Sequence, residues 1–238
     1  MGRSRLVPTI ALLLAACGGP APPAEPPART LAIVSSIGPD ILLGTTGDNE
    51  ADAKTERVAV PGWHLDEVAI DAARKSLAVR YRIVAAESLA VPDSTAALVE
   101  AARAGKLTAA PADLILVVSP STSAQHHDGH PTIDYGVGVS RWEGPYFPRP
   151  PYVHAFLAVT LIDGHDFTVV GQSAVKMKAR QPSAFGEDET LPFVPIDTFV
   201  WPGQWADMTE RQREQVHQLT LALLNQSMPY TLDRLAAR

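Results

Sequence analysis

The chain has 238 residues, of which 46% are hydrophobic and 19% charged, and its formal charge at pH 7 is −6. That much apolar material supports a packed core, while the acidic balance argues against a nucleic-acid partner, whose phosphates require a basic face. Cys17 is the only cysteine, which excludes an intrachain disulfide and a cysteine-clustered metal site.

Arg3 and Arg5, the apolar stretch Leu6 to Leu14 and the small residues before Cys17 have the layout of a secretory signal ending at a cleavage site. The stretch is too short for a membrane span, which needs roughly 20 apolar residues. Leu14-Ala15-Ala16-Cys17 resembles the bacterial lipobox, and that resemblance implies acylation of Cys17 as the first residue of the mature chain. The expected organisation is a signal peptide over 1–16, a lipidated proline-rich tether over 17–29 and one α/β periplasmic domain over 30–238. The tether, with Pro20, Pro22, Pro23, Pro26 and Pro27, has almost nothing to bury and reads as a semi-extended spacer. Gly18 stands where an aspartate would favour inner-membrane retention in the families this resembles, so the resemblance implies an outer-membrane anchor facing the periplasm. Acyl chains contribute on the order of 0.8 kcal/mol per buried CH2, and several are needed for firm attachment. Loss of residues 1–16 removes Arg3 and Arg5 and no acid, moving the formal charge from −6 to −8.

Leu31 to Gly38 and Ile41 to Thr46 are apolar, β-branched runs around Gly38-Pro39-Asp40 and read as an opening hairpin. Thr46 to Arg57 is polar and loop-like, with a short strand expected over Arg57 to Val60. Leu65, Val68, Ala69, Ala72, Ala73 and Leu77 form one apolar stripe at helical spacing. Val79 to Val84 alternates as a strand. Pro92-Asp93-Ser94, the stripe Ala97, Leu98, Ala101 and Ala102, and Gly105 predict a second helix.

Asp113 to Val118 is the most continuous apolar run, as expected of a central strand covered on both faces. Ile133 to Val139, Val153 to Ile162 and Phe167 to Lys176 read as strands, the last two joined at Asp163-Gly164-His165-Asp166 as an antiparallel extension. Gln181 to Gln204 reads as loop, packed by the rings of Phe193, Phe199, Trp201 and the following Trp205. Thr209 with Gln212, or Asp207 with Glu210, offers a capping box for a C-terminal helix running to about Asn225, with a shorter helical tail after Pro229. The fold class is therefore α/β: a mixed sheet with a βαβα unit, an antiparallel extension and a C-terminal helix, in a two- to three-layer sandwich.

Candidate chemistry is sparse. His126, His127, Asp128 and His130 are the one cluster of possible metal ligands, but catalytic zinc sites commonly hold two histidines one turn apart on a helix, whereas Gly129 and Pro131 place this run in a loop. Ser119 follows the central strand without the Gly-x-Ser-x-Gly elbow of a serine hydrolase. Asp163 and Asp166 suit turn chemistry. Gly136-Val137-Gly138 lacks a dinucleotide fingerprint and marks a close backbone approach. Trp142, Tyr146, Phe147 and Tyr152 sit in a proline-rich connection that either faces a partner or caps the core. No cofactor is expected.

Asp113 to Val118 and Ala155 to Gly171, a pair of strands around an Asp turn, resemble the periplasmic α/β domains of the curli-secretion lipoprotein group and the N-terminal domain of TolB-type proteins, over roughly residues 58 to 178. That resemblance carries no functional residues, and the opening hairpin departs from it. The lipobox-like anchor, the tether and the lack of a coherent catalytic constellation lead to the expectation of a membrane-anchored envelope lipoprotein, binding or scaffolding another envelope protein and non-enzymatic. The alternative is a metal-binding protein or hydrolase using the His126 to His130 loop.

Overall fold

The computed structural model describes residues 29–46, 54–85, 100, 112–127, 130–142, 150–179, 189–198, 200 and 202–235, with backbone alone for 46, 122–127, 130–134 and 142. It is an α/β fold: a large mixed sheet with helices packed on it. The strands are β1 (Thr30–Ser35), β2 (Asp40–Thr46), β3 (Lys54–Ala59), β4 (Arg82–Val84), β5 (Leu114–Pro120), β6 (Thr122–His127), β7 (His130–Trp142), β8 (Tyr152–Asp163), β9 (Val169–Ala174), β10 (Met177–Lys178), β11 (Glu189–Thr190) and β12 (Phe193–Pro195). The helices are α1 (Leu65–Leu77) and α2 (Glu210–Leu235). The main sheet runs β3-β2-β7-β8-β5-β1-β4, with β6 on β7 and both β9 and β12 on β8.

β5 is buried along nearly its whole length and lies between β1, parallel, and β8, antiparallel. Two buried clusters lie on its opposite sides. Leu31, Ile33, Leu114, Leu116 and Val118 join the core shared with α1 and α2. Ala32, Val34, Ile115 and Val117 form the second cluster. An alternating strand divides its side chains in this way, and a continuous apolar run is what burial on both faces requires.

The opening hairpin is corrected. β1 pairs in parallel with β4 and β5, whereas β2 pairs with β3 and β7, so residues 36–39 are a bend between two sets of partners. A buried strand with neighbours on both edges has no free edge for the strand that follows it. The bend is held by Asp66 in the first turn of α1, whose carboxylate accepts the backbone N–H of Ile37 at 2.9 Å and of Gly38 at 3.2 Å. The true hairpin is β2–β3, which extends the strand expected at Arg57 back to Lys54.

α1 occupies the predicted span, with Leu65, Ala69, Ala72, Ala73 and Leu77 buried. β4 is shorter than expected because residues 78–80 form a turn, and of the helix predicted around Ala97 to Ala102 only Glu100, itself helical, lies among the described residues. The antiparallel β8–β9 pair is present, its turn built by Asp163 accepting the N–H of His165 and Asp166 accepting the N–H and hydroxyl of Thr168. Within the run expected to be loop, β12 pairs with β8.

α2 is capped as predicted: the Thr209 N–H and hydroxyl donate to Gln212 Oε1, and the Gln212 N–H donates to Thr209 Oγ1. It does not stop near Asn225 but runs through Pro229 to Leu235. An interior proline costs about 3 kcal/mol. Burial of Leu223, Leu224, Met228 and Leu232 on both sides of it offsets that cost. Thr231 adds a pin, its hydroxyl accepting the Lys176 N–H at 2.8 Å.

The starts of β1 and β5 are clamped reciprocally. Asp113 Oδ2 accepts both the Thr30 N–H and hydroxyl, and Thr30 Oγ1 accepts the Asp113 N–H. These bonds from Thr30 hold the Asp113 carboxyl below its ordinary pKa. Bonds from Thr168 do the same for Asp166, and the Lys176 ammonium, with Arg234 beside it, for Glu189.

Two outcomes follow. Asp66→Ala lowers the unfolding free energy by about 1–3 kcal/mol through loss of two charge-assisted bonds, as read by denaturant titration. Carboxyls whose pKa is lower folded than unfolded add stability that is fully present above the unfolded value, about 4, and is lost as pH falls through the folded value. Thermal midpoints therefore drop below about pH 4, and Asp113→Asn makes that acid limb shallower.

Candidate functional site

At the end of the sheet where β1 begins, a cavity of about 470 Å³ opens between the strands and the C-terminal ends of both helices. The register explains it. Ile33, Leu116, Leu161 and Gly171 lie opposite one another across β1, β5, β8 and β9. This row of large side chains thus ends in a residue with none, beneath Leu235 of α2. A Cβ built on Gly171 would stand 3.4 Å from Leu235 Cδ1. Beside it the β8–β9 register slips, pairing Leu161 with Gly171 and Ile162 with Val169, so that Val170 is the extra residue of a bulge. Bulges re-aim side chains at sheet edges, and here Val169 and Val170 are both exposed, at 52% and 56%, with Val170 on the cavity wall.

The floor is sealed by fully buried leucines such as Leu31 and Leu116, and half-buried Tyr81, Leu161 and Leu235 form the accessible walls. The polar side chains lining it are Arg29, Gln172 and the Tyr81 hydroxyl. Arg29 is exposed and, among the described residues, makes no ion pair within 4 Å. Asp113, whose carboxylate Arg29 and His165 both favour through space, is engaged by Thr30 and lies 3.7 Å from His165 Nε2. Arg82, whose N–H donates to the Arg29 carbonyl, and Arg80 are also exposed, so this end of an acidic chain carries three arginines.

A second, more polar cleft of about 370 Å³ lies at the β1–β2 bend, where Gly38, Asp40 and Arg57 face Pro120, Tyr135 and Gly136. The Asp40–Arg57 pair crosses part of it at 3.4 Å.

Inside the sheet, Ser140 of β7 and His154 of β8 approach to 3.1 Å at Nε2, while His154 Nδ1 lies 3.2 Å from the Gly136 carbonyl. Because a carbonyl only accepts, Nδ1 carries the proton and Nε2 accepts from the Ser140 hydroxyl. That is the tautomer of a serine–histidine dyad. His154 is only 1% exposed, however, and its ring stacks on Phe156 at 4.7 Å, so the pair is a packed polar element of the core. Gly138 makes room for it: a Cβ there would lie 2.1 Å from the Leu42 carbonyl oxygen and 3.1 Å from His154 Nε2. The close backbone approach predicted at Gly136 to Gly138 is thus present. The buried serine–histidine contact was not anticipated; its residues lie on separate strands, and only the β7–β8 register joins them.

The residues singled out in the sequence scatter. The expected His126 to His130 loop is a hairpin, β6–β7, with His127 opposite His130 and His126 opposite Pro131. The signal for it was Asp128-Gly129, a dipeptide suited to two-residue hairpin turns. Asp128 and the side chains of His126, His127 and His130 lie outside the described residues. No three His, Cys, Asp or Glu side chains converge on a metal position among the described residues. Tyr152 is corrected from the connecting loop to the core: it starts β8, is 6% exposed and packs edge-on against Phe193 at 5.8 Å. Trp142 ends β7, with backbone alone described, and Tyr146, Phe147 and Cys17 lie outside the described residues.

No family model matches the chain, and no curated protein matches it. Among solved structures, it is similar to the crystal structure of protein XCC0632 from Xanthomonas campestris, of family model DUF330. That match covers 89% of this chain and 86% of the other, at 10% identity and a TM-score of 0.38, a likeness too slight to carry an argument about the site.

Replacing His154 by alanine leaves a void against Phe156 and takes away the ring that Ser140 contacts. Such a change costs about 3 kcal/mol. The measurement is denaturant unfolding of His154→Ala beside Ser140→Ala, the latter expected to lose about 1 kcal/mol.

Proposed function

We propose that this protein is a lipid-anchored envelope lipoprotein, acylated at Cys17 and held at the outer membrane facing the periplasm. In this reading its α/β domain is a non-enzymatic module that binds or scaffolds another envelope protein. The observation that carries the reading is the chain order: lipobox-like Leu14 to Cys17, then prolines, then β1 from Thr30. From Cys17 to Arg29 the chain spans twelve residues. At about 3.1 Å per residue in extended polyproline geometry, the tether reaches at most about 37 Å. The cavity end, where β1 starts, is then the end nearest the bilayer. Among the described residues, the serine–histidine contact is enclosed, with Ser140 and His154 each 1% exposed.

Cell fractionation with mass spectrometry of the N-terminal peptide tests the anchor. The native chain is expected in the membrane fraction with a diacylated or triacylated Cys17, and Cys17→Ser in the soluble fraction. A soluble native chain with a free thiol overturns the proposal. For the partner, a photo-crosslinking residue at Tyr146 is expected to give one discrete adduct in native membranes, and one at exposed Asp71 none. Equal, diffuse adducts from both positions count against a binding role for the aromatic connection.

A further inference from the structure

We infer that the cavity at the start of β1 is a binding site for a single-chain amphiphile with an anionic head, of the fatty-acid class. The tail lies against Leu161, Leu235 and Val170 over Gly171, and the carboxylate pairs with Arg29.

Four observations meet here. The volume of about 470 Å³ falls in the range of small-molecule sites, roughly 300–1,000 Å³. The lining joins apolar side chains to a polar side that includes Arg29 and Gln172, so a wholly polar ligand would leave the leucine walls uncovered, whereas an amphiphile meets both. The gap is built into the sheet: Gly171 leaves out the side chain that would close the row of Ile33, Leu116 and Leu161, and the bulge at Val170 turns a valine to the opening. Arg29 is a cation without an ion pair among the described residues, in an arginine group with Arg80 and Arg82, on a chain of net charge −6. A planar guanidinium suits a carboxylate. Chemistry that is apolar at depth and cationic at the rim fits an alkyl chain ending in an anion. The inference rests on this geometry and not on the anchor.

The experiment is calorimetric titration of the Cys17→Ser chain with octanoate, decanoate and laurate below their micelle concentrations, with dodecanol as the uncharged counterpart. Laurate is expected to bind saturably, one per chain, and affinity to rise roughly two- to fourfold per added methylene as each is buried. Gly171→Leu fills the gap and is expected to weaken laurate at least tenfold. Val170→Glu, at an exposed position, sets a charge against the tail and is expected to weaken laurate and dodecanol alike. Arg29→Gln is expected to weaken laurate and leave dodecanol unchanged. Non-saturable uptake, or native affinity in both Gly171→Leu and Val170→Glu, overturns the site. Equal loss of laurate and dodecanol in Arg29→Gln overturns the carboxylate pairing. Membrane release of Cys17→Ser is read separately, so failure of the anchor and failure of the cavity are distinguishable.

Discussion

β8 is the constraint on which the architecture turns. Tyr152 to Leu157 are all buried, and buried backbone N–H and C=O groups must find partners. One edge of the strand takes β7 along residues 152–156 and β5 along 157–163; the other takes β12 along 152–154 and β9 along 158–162. Twelve residues thus bind two half-sheets into one. The same division reaches β1 and β2, which serve the β5 and β7 halves respectively, and it explains why the chain between them bends instead of folding back. Asp66, accepting two backbone N–H groups at that bend, ties α1 to the junction.

Two of the places with site-like geometry among the described residues follow from how β8 is flanked. On its β7 side, the register opposes Gly138 to His154 and Ser140 to Tyr152, and the missing side chain at Gly138 admits the imidazole ring. The result is a serine and a histidine in hydrogen-bond contact with no route for a substrate, since both are almost wholly buried. On its β9 side, the missing side chain at Gly171 stands at the sheet's edge, where α2 covers it only in part. The same omission of a Cβ therefore gives a packed polar pair inside the sheet and an open cavity at its margin. What separates them is whether a second layer closes over the gap.

Much of the fold was legible because its signals are local. The stripe from Leu65 to Leu77 is a periodicity, the Thr209–Gln212 box is a three-residue spacing, and Asp163 to Asp166 is turn chemistry. Each depends on neighbours in sequence, and each stands where it was expected. The misreadings share a different cause. An apolar run on either side of Gly38-Pro39-Asp40 fits a hairpin, but pairing depends on which edges are already taken, and β4 and β5 arrive much later in the chain. Pro229 stops a helix judged by propensity alone, yet leucines and a methionine packed on either side of it carry α2 through. In both cases tertiary packing overrides a local preference.

The candidate sites were legible to a lesser degree, for a physical reason. Residue types that carry chemistry, such as the histidines at 126, 127 and 130, draw the eye because they cluster in sequence. The cavity is made of leucines with a tyrosine, a valine, a glycine, a glutamine and one arginine, none unusual where it stands. Its position depends on Leu161 facing Gly171 and on the one-residue slip that turns Val170 outward, and a slip of one residue in a strand exchanges its faces. Such a site has no motif. What could be read was the proline-rich run ending before Arg29, beside the point where an apolar strand begins. A cation at the mouth of a leucine-lined space is the trace that this arrangement leaves in the sequence, and it becomes a site only once strands distant along the chain are in register.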